Sequence, residues 1–154
     1  MKKLLLFPSI LLISALICVT VSCSDDDKGD TTRPTAELIE PAQGSVLKIG
    51  AAVNLVLHLS DNDGLSSYRV NIHSAKGHTH EETKAAAGDQ NDGEEIVIFD
   101  KSWNLAGTKD TTINHQEIII EDNIEPGDYH FMVYCTDKSG NEAEYQINTV
   151  DIEE

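Results

Sequence analysis

Six histidines are the residues in this sequence best suited to chemistry: His58, His73, His78, His80, His115 and His130. Three of them fall in the window from His73 to His80. Neutral imidazole is a ligand for zinc, copper and nickel. In an extended segment side chains alternate with period two, so His78 and His80 lie on one side of Gly77-His78-Thr79-His80. One intervening residue lets both ring nitrogens approach a single ion at about 2.0–2.1 Å. The plainer alternative is a polar loop tip beside solvated strand histidines.

Other reactive groups are less promising. Asp61-Asn62-Asp63-Gly64, together with Asp137 and Asn141, offers hard oxygen ligands that could hold Ca²⁺. The full twelve-residue calcium loop is missing, and Asp, Asn and Gly are the ordinary residues of turns, so turn chemistry is the preferred reading. Cys135 has the strand parity of the core, where a cysteine behaves as a small hydrophobe rather than a nucleophile. No nucleophile elbow, phosphate loop or zinc-protease helix motif occurs. Glu81-Glu82 and Glu94-Glu95 are paired only in sequence. The chain is read as non-catalytic, with no catalytic residue assigned.

The elements that must position the histidines are strands. From Pro34 onward, short alternating runs are separated by turn residues, the signature of an all-β fold. Expected strands cover 36–40, 45–49, 52–60, 67–74, 95–103, 111–121, 129–136 and 142–152. In 52–60, Val53, Leu55 and Leu57 alternate with Asn54, Val56 and His58; His58 is taken as a solvated residue. Alternation also assigns Val70, Ile72, Ile118, Ile120, Phe131, Val133 and Cys135 to the core.

The N-terminus is an export signal. Lys2 and Lys3 form the positive region, Leu4 to Ile17 the apolar region, and small Ser22 precedes Cys23. Residues 1–22 are expected to be removed. Cys23 is the expected lipid anchor, similar to the lipobox cysteine of bacterial lipoproteins, and several acyl chains on one residue hold a membrane stably. Residues 23–33 then form an acidic tether and 34–154 the domain.

Charge narrows the partners. The 154 residues carry 27 acidic against 11 basic groups, a net charge of −16. Loss of Lys2 and Lys3 leaves nine basic residues and −18. A nucleic-acid partner requires a basic face, and this chain has none to give. With Cys23 acylated, Cys135 is the only cysteine left, so no intrachain disulfide is expected.

Two stretches carry a resemblance. PTAELIEPAQGSVLKIGAAVNLVLHLSDNDGLSSYRVNI resembles the first half of a bacterial immunoglobulin-like domain, and PGDYHFMVYCTDKSGNEAEYQI resembles its closing hairpin, with Tyr129 placed as a tyrosine corner. With the signal, the acidic tether and IHSAKGHTH, the whole resembles a family of Gram-negative bacterial surface lipoproteins built on an immunoglobulin-like domain of unknown function. The resemblance implies an antiparallel β-sandwich of about seven or eight strands. The run Ser24-Asp25-Asp26-Asp27 resembles the acidic signal that sends some Gram-negative lipoproteins to the outer face of the outer membrane, so outer-membrane localisation by the lipid anchor is expected, at the cell surface or facing the periplasm.

That topology gathers the histidines. The third and sixth strands of such a sandwich are antiparallel neighbours, so the end of 67–74 lies beside the start of 129–136. Core parity of Val70, Ile72, Phe131 and Val133 turns His73 and His130 to the opposite, outward face. His73, His78, His80 and His130 are therefore the expected ligands of one Zn or Cu site, which should weaken as pH falls through about 6.5. His115 is held in reserve, on the other sheet. The leading reading is a non-catalytic envelope lipoprotein that displays a binding module to a protein, glycan or metal-ion partner. The alternative is a metal-binding lipoprotein that captures or buffers Zn or Cu.

Overall fold

The computed structural model describes residues 29–76, 96–143 and 146–154. The signal, Cys23, His78 and His80 lie outside the described residues. Eight strands are described: β1 (Thr35–Glu40), β2 (Val46–Lys48), β3 (Ala52–Ser60), β4 (Leu65–Ser74), β5 (Val97–Asn104), β6 (Asp110–Ile119), β7 (Gly127–Asp137) and β8 (Gln146–Glu153). They form two sheets, β1-β3-β6 and β2-β8-β7-β4-β5. All pairings are antiparallel except β2 with β8, which is parallel. This is the expected all-β immunoglobulin-like sandwich.

Its interior follows the alternation in the sequence. Val53, Leu55 and Leu57 face Val70, Ile72, Phe131, Val133 and Cys135 across the gap, and Ile118 and Ile120 join them. All ten core residues assigned from sequence are buried. Leu47, Leu59, Leu65, Tyr68, Tyr129, Val150 and Ile152 complete the cluster. The hydroxyl of Tyr129 donates to the Glu125 carbonyl oxygen at 2.8 Å, which closes the tyrosine corner and fixes the entry to β7.

The antiparallel β4–β7 pair gives the sandwich two distinct ends. At one lie the β3–β4 turn, the C-terminal end of β7 and the residues leading into β1. At the other, His73 and Ser74 close β4 beside the start of β7. The first is called here the acidic pole and the second the histidine pole.

Candidate functional site

His73 and His130 sit directly opposite each other in the β4–β7 register. Val70 and Ile72 on one strand, and Phe131 and Val133 on the other, must face the core, so the alternate residues Asn71, His73, His130 and Met132 share the opposite face. None of these four belongs to the hydrophobic core cluster. The two imidazoles meet edge to face, with ring centroids 5.3 Å apart and planes at 82°. The expected juxtaposition is therefore present. The expected solvation is not: His73 is 1% exposed and His130 8%. Strand parity fixes which face a residue takes, and it leaves open whether water reaches that face.

A polar chain orients His73. Arg69 Nε donates to Asp100 Oδ1 at 2.7 Å, and a second guanidinium nitrogen meets Asp100 Oδ2. The hydrogen bond from Arg69 holds the Asp100 carboxyl below its ordinary range, against the opposing effect of partial burial. Asn71 Nδ2 donates to the same carboxylate at 3.3 Å, which turns Asn71 Oδ1 toward His73 Nδ1 at 2.6 Å. With an amide oxygen facing it, Nδ1 carries the proton and donates, so the neutral ring carries its lone pair on Nε2. Metal-ligating histidines are set up in this way, with the second nitrogen fixed by a hydrogen bond.

The other two described histidines fall elsewhere. His115 lies on β6, in the other sheet, with Nε2 2.8 Å from the Tyr68 hydroxyl and its ring 5.1 Å from that of Trp103. Tyr68 stacks on Trp103 at 4.9 Å, and Trp103 Nε1 donates to Glu117 at 2.9 Å. Burial, and then the charge of Glu117, push the Tyr68 hydroxyl up to about 12. His115 thus belongs to an aromatic group on the flank and does not join His73. The sequence signal for this group was thin, a single Trp and the core parity of Tyr68. His58 is half-exposed and 3.5 Å from Asp110.

At the acidic pole, Asp61 Oδ2 accepts from the backbone N–H groups of Asp63 and Gly64 at 2.8 and 2.6 Å and closes the β3–β4 turn. Gly64 is required there. Its φ is +152°, and a Cβ would lie 2.8 Å from the Gly107 carbonyl oxygen and against Lys138. Asp137, 2% exposed, accepts from Asn141 N at 2.8 Å and from Asn141 Nδ2 at 2.7 Å. Asp30, from the segment read as an acidic tether, is hydrogen-bonded to the sandwich. Its Oδ2 accepts from Asn62 Nδ2 at 3.0 Å and its carbonyl oxygen from Asn141 Nδ2 at 2.9 Å. One carboxylate oxygen from each of Asp30, Asp61 and Asp137 lies within 4.8 Å of the others. Nearby Cys135 is fully buried, and burial together with the charges of Asp61 and Asp137 pushes its thiol up to about 11, which keeps it protonated and inert.

Nothing among curated proteins matches the chain. Among solved structures it is similar to fibronectin(III)-like modules of Clostridium thermocellum CbhA, at 12% identity and a TM-score of 0.40, over 77% of this chain and 94% of that one. It is similar to an LPMO from Kitasatospora papulosa at 9% identity and 0.40, over 72% of this chain and 51% of that one. A mutant (D270A) β-glucosidase from Listeria innocua is matched at 14% identity and 0.39, over 79% of this chain and 16% of that one. The sheet topology described above, rather than these likenesses, identifies the fold. A family model, Domain of unknown function (DUF4625), matches residues 21–152.

Proposed function

The chain belongs to the DUF4625 family, which brings no activity with it, and on that premise we propose that it is a non-catalytic binding module of the cell envelope, anchored to the outer membrane by lipid on Cys23 and displayed at the cell surface. The observation that carries this reading is the placement of Asp30 at the acidic pole. A chain anchored seven residues upstream then approaches the membrane with that pole. β4 and β7 extend about 30 Å from it, at ~3.3 Å per residue. The histidine pole faces away from the anchor, where a protein, glycan or ion could meet it.

A second reading, capture or buffering of Zn or Cu, is favoured by the His73–His130 approach and by the orientation of His73 through Asn71. His78 and His80 are the proposed further ligands. Two experiments separate these claims. Cys23→Ser should release the protein from the outer-membrane fraction, and surface labelling of whole cells should reach the wild-type protein; retention of the unlipidated, processed variant in the membrane refutes the anchor. Calorimetry with Zn²⁺ and Cu²⁺ on the wild type decides the second reading. Absence of binding leaves the module with a macromolecular partner.

A further inference from the structure

Three carboxylates from three separate stretches of chain meet at the acidic pole: Asp30 before β1, Asp61 in the β3–β4 turn and Asp137 at the end of β7. Like charges at this spacing repel. Their hydrogen-bond donors are neutral: Asn62, Asn141 and backbone N–H groups. Among the described residues no lysine, arginine or histidine forms an ion pair with any of the three.

A separate observation concerns one oxygen. Oδ1 of Asp61 is cut off from solvent and has no hydrogen-bond partner. A buried carboxylate oxygen is normally met by a donor or a cation, because desolvation without compensation is costly. Oδ2 of the same group is already engaged by the turn, so the orphan cannot be relieved by rotating the carboxylate without breaking the turn.

We propose that Asp30, Asp61 and Asp137 form a calcium site that fastens the N-terminal tether to the sandwich. The donors are all hard oxygens, which suit Ca²⁺ or Mg²⁺ and disfavour Zn and Cu. They come from three unconnected segments, an arrangement that fits the irregular coordination calcium accepts better than the strict octahedron magnesium demands. Two ligands are held before the ion arrives, Asp61 by its turn and Asp137 by Asn141. Asp30 supplies the third and is the one that couples the ion to the tether. This site is independent of the histidine pole and of the lipid anchor.

The test uses the full chain in detergent, stripped with a chelator and titrated with CaCl₂ by calorimetry. One Ca²⁺ per chain, a higher Tm at saturating calcium and slower proteolysis of the segment before β1 are expected. Asp30 is itself partly exposed and its side-chain bond to Asn62 lies at the surface, so Asp30→Asn should fold, which its Tm without calcium checks; it should weaken calcium binding tenfold or more and abolish the protection. Asp61→Asn should weaken binding at least as much. His130→Ala should bind calcium as the wild type does. The proposal is overturned by no heat and no Tm shift up to about 10 mM Ca²⁺, above the range of extracellular calcium modules. It is equally overturned if Asp30→Asn binds like the wild type, or if His130→Ala loses calcium.

Discussion

The two poles of this sandwich lie at opposite ends of the β4–β7 pair and are built by different means. At the histidine pole, regular register does the work: His73 and His130 are cross-strand partners, and their meeting follows from the pairing of β4 with β7. At the acidic pole, a turn, a strand end and a stretch of chain outside the sheets converge, and no periodicity relates them. A site written by register is inherited from the core behind it. A site written by turns depends on each local hydrogen bond. The two should therefore fail under different substitutions.

The largest effect should come from the frame they share. Phe131 is fully buried in the core beside its cross-strand partner Ile72, and Phe131→Ala should cost about 3–5 kcal/mol in urea unfolding. A loss below about 1 kcal/mol would mean that the frame does not rest on this residue. Next, His130→Ala should weaken Zn²⁺ or Cu²⁺ binding roughly tenfold or more, about 1.4 kcal/mol, while leaving the acidic pole intact. It lies far from residues 77–80 in sequence, so an effect there reports the fold rather than a local His-rich segment. Unchanged affinity would separate His130 from any metal site.

A smaller effect distinguishes the poles by pH. Burial works to raise the pKa of Asp137, but hydrogen bonds from Asn141, and from the backbone of Ser139 and Gly140, outweigh it and bring the pKa below 3.8. A depressed carboxyl contributes stability that is present above the unfolded-state value and is lost as pH falls through the folded one. In a calcium-free buffer, Asp137→Asn should therefore lose less stability than the wild type as pH drops below about 4. Parallel acid-unfolding curves would contradict this. The smallest effect should be Arg69→Ala, below about 1 kcal/mol, because both partners of the Arg69–Asp100 pair are nearly half exposed. A greater loss would show that the chain through Asn71 to His73 stabilises the fold as well as orienting the ring.

Sequence legibility divides along the same line. Alternation in 52–60, 67–74, 111–121 and 129–136 was enough to place the core, and the strand order implied by the immunoglobulin-like resemblance added the β4–β7 junction and the His73–His130 encounter. It could not report the burial of the histidine face, since the pleat assigns sides and not solvent. Asp30 was invisible because nothing in an acidic run distinguishes the residue that docks from those that do not. Asp61 and Asp137 were readable as turn residues, and their turns are real. That one oxygen of Asp61 has no partner is a property of three-dimensional packing alone. The Tyr68–Trp103–His115 group escaped for the same reason, since its members come from β4, β5 and β6 and two sheets.

The parallel pairing of β2 with β8 has a mechanical consequence. If the module is anchored and holds a partner at its far end as proposed, it would be a link under tension, with the load running along its strands. β2 and β8 bond side by side in the same direction, through the registers 46 with 151, 47 with 152 and 48 with 153. Hydrogen bonds between strands lie across such a pull rather than along it, so they are sheared together and cannot be peeled open one at a time. The antiparallel β1–β3 pair would be loaded in shear as well, from Thr35 against Ser60 to Glu40 against Val56. The short strand at the sheet edge, minor in area, would act as a latch that sets how hard the domain can be tugged before it opens.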